Sequence, residues 1–109
     1  RILAQGGTAF DAAVAVAAVL NVVEPMMSGI GGYGTILLFD AAGADVRFLN
    51  PSGRMPASLD ADVFRAPTPN YREHRRGAKA VSTPGNANAW EAMWKAHGRL
   101  EWPALLADA

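Results

Sequence analysis

The segment Gly6-Gly-Thr-Ala-Phe-Asp-Ala-Ala-Val-Ala-Val-Ala-Ala-Val-Leu-Asn-Val-Val-Glu-Pro25 decides the architecture. Thr8 and Asp11 have the spacing of a capping box, with Asp in the role that Glu usually fills. The helix started there runs to about Val23, because Glu24 precedes Pro25 and is driven out of helical geometry. Phe10, Val14, Ala17 and Asn21 form one stripe; Val16, Val19, Leu20 and Val23 form another. A helix apolar nearly all round is expected to be covered on most sides, against a sheet or between helices of a larger body. Its unbroken apolar run, Ala12 to Leu20, is bounded by Asp11, Asn21 and Glu24. That is far short of the roughly 20 apolar residues that cross a membrane, so no membrane span is expected in this segment.

Working outward, Arg1-Ile-Leu-Ala-Gln-Gly-Gly7 reads as the last turn of a helix, with Gly6 or Gly7 as a left-handed cap. At the other end, Pro103-Ala-Leu-Leu-Ala-Asp-Ala109 reads as a helix cut after two turns. Both ends read as cuts through elements. The expectation is that residues 1–109 are a partial domain, truncated at both ends. Between them, Ser28-Gly-Ile-Gly-Gly-Tyr-Gly34 is too rich in glycine for a helix or a central strand. Thr35 to Phe39 predicts a strand apolar enough to be covered on both faces. Ala41-Ala-Gly-Ala44 is a turn, and Asp45 to Leu49 is a second strand that closes an antiparallel hairpin. Asn50-Pro-Ser-Gly-Arg-Met-Pro56 is a loop fixed by two prolines, and Ser58 to Phe64 has the makings of a short capped helix. Residues 65–79 carry Arg65, Arg72, Arg75, Arg76 and Lys79 against Glu73 alone and read as a solvated loop. Thr83-Pro84 predicts a helix start, with Thr as cap and Pro at the first position. That helix runs to His97, stops at Gly98, and places Trp90 and Trp94 on one face.

Composition narrows the function classes. Ten basic residues balance ten acidic ones, for a net charge of zero and a pI of about 6.9, so no nucleic-acid partner is expected. With 50% hydrophobic and 18% charged residues, disorder is excluded as the main state. Cysteine is absent, which removes disulfides, thiolate metal sites and cysteine nucleophiles but leaves the compartment, periplasmic/extracellular or cytoplasmic, open.

Few residues offer chemistry by type and spacing. Gly29, Gly31 and Gly34 fit the Gly-x-Gly-x-x-Gly pattern, but a dinucleotide site has that pattern between a strand and the helix that follows it. Here a helix precedes it and a strand follows. The glycines Gly29, Gly31, Gly32 and Gly34 are read instead as a structural loop that lets helix and sheet approach closely. Tyr71-Arg-Glu-His-Arg-Arg76 is read as a solvated charge cluster. His74 and His97 have no ligand partners at metal spacing, so no metal site is expected. Asp60 and Asp62 suit capping of a short turn. No serine or threonine has a recognisable base beside it. Residue chemistry alone gives a helix-and-sheet body with a glycine-rich turn, and names no reaction.

Several segments together resemble the gamma-glutamyltransferase family. Gly6 to Pro25 is similar to its Gly-Gly-x-Ala-x-Asp-Ala-Ala-Val … Val-Val-Glu-Pro stretch, and Ser28-Gly-Ile-Gly-Gly32 to its Ser-Gly-Ile-Gly-Gly-Gly. Met55-Pro-Ala57 sits where the family has Ala-Pro-Ala. Ser82-Thr-Pro-Gly85, Trp90 and Gly98-Arg-Leu100 resemble its Thr-Pro-Gly … Trp … Gly-Arg-Leu run. The likeness keeps order and spacing along nearly the whole chain and is to the N-terminal part of the family's large subunit.

The resemblance implies an α+β chain, part of the four-layer αββα N-terminal-nucleophile hydrolase fold, with helices packed on an antiparallel hairpin. It implies a precursor that cleaves itself, and a threonine at the new N-terminus of the small subunit that attacks a gamma-glutamyl amide without a cofactor. The Thr-Thr-His-type nucleophile segment has no match here. The expected partners are therefore the small-subunit portion carrying the threonine nucleophile and a small-molecule amide substrate, with no catalytic residue in this chain. In the family's Arg-Glu-x-Ala-Pro stretch the arginine holds the substrate's alpha-carboxylate, a bidentate task. Aligning on Pro56 puts Ser52 at that position. Ser52, Gly53 and Arg54 are thus the candidate substrate-binding residues, with Arg54 two positions from the usual place of the cation. Tyr33 in place of a family glycine, and Met26-Met27 in place of a His-Ser type pair, are further departures. With Ser52 at the pocket, a related acylase acting on a non-glutamyl amide is the alternative, and a non-catalytic scaffold module is the other.

Overall fold

Thr8 opens the first helix, α1 (Ala9–Val23), through the expected box: its Oγ1 accepts from the Asp11 N–H at 3.1 Å, and the Asp11 Oδ2 accepts from the Thr8 N–H at 2.8 Å. The end is also where the Pro25 rule puts it, with the Glu24 N–H donating to the Leu20 carbonyl at 2.9 Å. The structure is a computed structural model and describes residues 1–64 and 77–109. Before α1, the chain forms a 3-10 turn, Leu3–Gln5, closed by Gly6 at φ 86°. Of the two glycines considered for the left-handed cap, Gly6 has it.

The hairpin follows the sequence pattern closely. Strands β1 (Ile36–Asp40) and β2 (Asp45–Leu49) pair antiparallel, with Ile36 opposite Leu49 and Asp40 opposite Asp45. Ile36, Leu38 and Leu49 pack toward the core. Leu37, Phe39, Val46 and Phe48 point the other way and are exposed. The expected cover on both faces of β1 is therefore not present among the described residues; the strand alternates, one side half-buried and one side open.

The C-terminal part supplies helices α2 (Asn86–His97) and α3 (Trp102–Leu106), both packed on α1. The core is Ile2, Val14, Ala15, Ala18, Trp90, Met93 and Leu105. Alanines at positions 15 and 18 keep the α1 surface flat where α2 and α3 meet it, and Val14 and Leu105 are wholly buried. Burying each of the larger side chains contributes about 1.5–3 kcal/mol. Val16, Val22 and Val23 lie on the far side of α1 and are more than half exposed, so α1 is covered on one side only in the described chain. The sequence made it apolar all round, and the described residues bury a single stripe of it.

Helix α2 begins later than Thr83-Pro84 predicts. Gly85 is the N-cap residue and makes no side-chain cap bond. The Gly32 carbonyl instead accepts from the N–H groups of Gly85 and Asn86, both at 3.1 Å, and anchors the helix start to the glycine-rich loop. Thr83 turns its hydroxyl outward to the Arg54 carbonyl at 3.0 Å. At the other end, α2 stops at Gly98, whose N–H donates to the Trp94 carbonyl at 2.8 Å. Gly98 has an ordinary φ of −73°; glycine is required there because a Cβ would run into the Trp94 ring and come within 2.8 Å of the Asp11 Oδ1. Trp94 donates from its indole nitrogen to the Leu100 carbonyl at 2.7 Å, which fixes the connection into α3. The segment 58–64 forms a 3-10 turn, Ala61–Phe64, shorter than the capped helix expected, with Asp60 accepting from the Asp62 N–H at 2.9 Å. The cationic loop read at 65–79, including Tyr71 to Arg76 and His74, lies largely outside the described residues.

Candidate functional site

The loop after β2 is built from two directions. Within it, the Asn50 side-chain oxygen accepts from the Ser52 N–H at 3.0 Å. Across from it, the stretch Thr83–Gly85 lies against the backbone: a Cβ on Gly53 would strike the Thr83 carbonyl, and one on Gly85 would strike the Pro51 carbonyl. Pro51 is buried under this contact. Glycine is needed at both positions for close approach, because any side chain would push the two strands of backbone apart. The Thr83 hydroxyl bond to Arg54 completes the clamp.

This clamp makes one wall of an open cavity of about 440 Å³. Ser52, Gly53 and Arg54 all line it, together with Tyr33, Met55, Phe64 and Val81. The three residues proposed from sequence are thus brought together at one surface. Ser52 and Arg54 are both exposed to solvent, and Arg54 makes no ion pair among the described residues. The rest of the lining is mostly apolar, and no Asp or Glu is part of it among the described residues.

The glycine-rich loop does something narrower than predicted. Gly32 is the tight position: a Cβ there would come within 2.8 Å of the Asn86 Nδ2 and 3.1 Å of the Gly29 carbonyl. Asn86 also donates to the Gly29 carbonyl at 2.8 Å. The close approach is therefore between the loop and the start of α2, not between helix and sheet. Gly31 makes ordinary contact with Pro84, and Gly29 and Gly34 face open space. Tyr33, Ser82 and Thr83 also line the cavity. These three were missed as site residues. In the sequence Tyr33 stands out only as a departure from a family glycine, and Thr83 reads as a helix cap.

His97 stacks on Phe10 with ring centroids 4.4 Å apart, a packing role. No group of three or more His, Asp or Glu residues is placed to hold a metal among the described residues. None of the described helices is long and apolar enough to cross a membrane.

The family model of gamma-glutamyltranspeptidase matches residues 1–109. The chain belongs to the gamma-glutamyltranspeptidase family. Among curated relatives, it is 40% identical to the glutathione hydrolase-like YwrD proenzyme of Bacillus subtilis, over all of this chain and 20% of that protein. Among solved structures, the Helicobacter pylori gamma-glutamyltranspeptidase superposes with a TM-score of 0.89 at 30% identity, covering 99% of this chain and 31% of that one. The cephalosporin acylase from Bacillus halodurans superposes with a TM-score of 0.79 at 35% identity, covering 98% of this chain and 20% of that one. The gamma-glutamyltranspeptidase likeness carries the N-terminal-nucleophile hydrolase fold with it, and the helices and antiparallel hairpin seen here are the α+β portion expected. The chain spans about a fifth of the length of the curated relatives it matches.

Proposed function

We propose that these residues are scaffold and acyl-pocket wall of a gamma-glutamyltransferase-like amidase, in the N-terminal part of its large subunit. The observation that carries the reading is the cavity at the Pro51–Pro56 loop. It gathers Ser52, Gly53 and Arg54 on a clamped backbone within a chain that matches the family from end to end. In this reading the nucleophile is a threonine at the N-terminus of the partner small subunit. Its hydroxyl attacks the carbonyl of a gamma-glutamyl amide of the glutathione type, and its own amine takes the proton. The C–N bond breaks, the leaving amine collects that proton, and an ester links the acyl group to the enzyme. Water or an acceptor amine then attacks the ester and frees the threonine. This chain contributes no group to those proton transfers; it holds the acyl part in place.

The test uses the full-length precursor that carries these residues. Expression should give two polypeptides by self-cleavage, release of nitroaniline from gamma-glutamyl-p-nitroanilide, and a covalent acyl adduct on the smaller polypeptide by mass spectrometry. An intact precursor with no adduct and no hydrolysis of any acyl anilide overturns the amidase reading and leaves a non-catalytic scaffold.

A second reading is favoured by Ser52. A hydroxyl in the position of the family arginine, in a mostly apolar cavity, suits an acyl group other than gamma-glutamyl. The superposition on a cephalosporin acylase supports that direction. Hydrolysis of other short acyl anilides in preference to the gamma-glutamyl one distinguishes the two.

A further inference from the structure

We infer that Asn86 is a positioning residue of this pocket: its side-chain amide straps the glycine turn at residues 29–32, and with it Tyr33, to the segment that clamps the Ser52 and Arg54 loop. The inference rests on the amidase reading above and names a residue that shapes the site without lining it.

Asn86 grips the turn at two points. Its side-chain nitrogen donates to the Gly29 carbonyl at 2.8 Å, and its backbone N–H donates to the Gly32 carbonyl at 3.1 Å. The turn is closed on itself by the Gly32 N–H, which donates to the same Gly29 carbonyl at 3.0 Å. The fit leaves no slack at Gly32, where a Cβ would come within 2.8 Å of the Asn86 Nδ2. Tyr33 is the next residue along and lines the cavity. In the other direction from Asn86, Gly85 lies against the Pro51 carbonyl and Thr83 against Gly53, and the Thr83 hydroxyl donates to the Arg54 carbonyl at 3.0 Å. Residues 83–86 therefore join two parts of the lining, one at Tyr33 and one at Ser52 and Arg54. Asn86 itself is half-buried and is not part of that lining. Take away its amide, and the turn keeps the backbone bonds from Gly85 and Asn86, which meet at a single atom, the Gly32 carbonyl oxygen. Two bonds to one atom make a pivot; the second point of attachment, at Gly29, fixes the angle. Without it, fewer molecules hold the Tyr33 side of the cavity in place, and the apparent affinity for substrate falls by that fraction.

The experiment uses the self-cleaved full-length enzyme and whichever of gamma-glutamyl- and butyryl-p-nitroanilide it cleaves faster. Asn86→Asp is nearly isosteric, but it replaces the donor with a carboxylate oxygen that the Gly29 carbonyl repels. It also puts a negative charge at the first position of α2, whose first turn holds no acidic residue, and that charge favours the helix. A role confined to supporting α2 therefore predicts an unfolding temperature no lower than wild type and unchanged kinetics. The positioning role predicts KM raised about tenfold with kcat within about twofold, because substrate binding draws the turn back before the chemistry. Asn86→Ala, which adds no charge, should raise KM about fivefold, and it decides the matter should Asn86→Asp not fold. Asn88→Asp puts the same charge in the same turn of α2 on an exposed residue, and should leave both constants within about twofold of wild type. Wild-type KM in Asn86→Ala overturns the inference. So does a loss confined to kcat, or an equal rise of KM in Asn88→Asp. These results leave the amidase reading standing, whereas a wild-type protein that cleaves neither anilide and forms no acyl adduct rejects that reading itself.

Discussion

Asp11 and Arg99, 88 positions apart, are joined directly: the Arg99 N–H donates to both carboxylate oxygens of Asp11, at 3.3 Å and 3.0 Å. The same carboxylate accepts from the Thr8 N–H and hydroxyl, and the residue is wholly buried. One side chain therefore caps α1 and ties it to the connection between α2 and α3. Asp11→Ala should destabilise the fold by about 2–4 kcal/mol, because it leaves buried donors without an acceptor. Urea unfolding checks this. Asp11→Asn, which keeps one acceptor oxygen, should lose less. Equal stability of wild type and Asp11→Ala removes the tie as a structural element.

Protonation of the same group gives a pH dependence. Burial pushes the Asp11 carboxyl up, but the hydrogen bonds from Thr8, Arg99 and Leu100 outweigh it and hold the pKa below the ordinary 3.8. A depressed folded-state pKa contributes stability that is fully present above the unfolded value and lost as pH falls through the folded one. The urea midpoint should therefore be flat in this contribution above about pH 5 and decline below about pH 4. Asp11→Asn should decline less over that interval. Parallel acid profiles for the two proteins would show that the carboxylate is not responsible.

The clamp between the Pro51–Pro56 loop and Thr83–Gly85 makes a graded set of glycine replacements. Gly85→Ala and Gly53→Ala each drive a methyl into opposing backbone, and each should cost several kcal/mol or displace the loop, on the order of the larger point-mutant effects. Gly29→Ala meets nothing within 4 Å and has no left-handed φ, so it should lie within about 0.5 kcal/mol of wild type. Thermal unfolding of the three variants separates these outcomes. A Gly85→Ala protein as stable as Gly29→Ala would mean that the clamp yields freely.

Restoring a cation at position 52 tests the assignment of the pocket. If Ser52 lines the acyl pocket, Ser52→Arg should raise kcat/KM of the full-length enzyme on gamma-glutamyl-p-nitroanilide by about tenfold, through a charge-assisted contact to the substrate carboxylate. The gain should shrink as salt is added, since the site is open to solvent. An unchanged rate counts against Ser52 as part of the acyl pocket.

Local chemistry was readable in the chain, and distant pairing was not. The Thr8–Asp11 box, the stop before Pro25 and the hairpin each depend on residues within a few positions of one another, and the structure follows them, with β1 one residue later (Ile36–Asp40) than the Thr35 to Phe39 expected. The second role of Asp11 depends on an N–H from the far end of the chain, which no spacing announces. Thr83-Pro84 had a good local claim to start α2. It lost because the Gly32 carbonyl takes the first N–H groups of the helix two residues later, while the Arg54 carbonyl takes the Thr83 hydroxyl. The apolar surround of α1 and the apolar run of β1 were read correctly as composition. They do not say which faces these residues alone can fill, and one side of each stays open. At the site, the resemblance singled out Ser52, Gly53 and Arg54, whereas the part played by Tyr33 and Thr83 required the loop to be seen folded against its neighbour.

The outer side of the hairpin has a practical consequence. Leu37 faces Phe48 and Phe39 faces Val46, all between 58% and 74% exposed, on a two-stranded ribbon whose outer edges carry no further strand among the described residues. A greasy ribbon with open edges is a template for sticking to its own kind. When the 109 residues are produced by themselves at high concentration, turbidity and inclusion bodies are the behaviour to plan for, and replacing Leu37 and Phe48 with lysine or threonine is the first remedy for solubility.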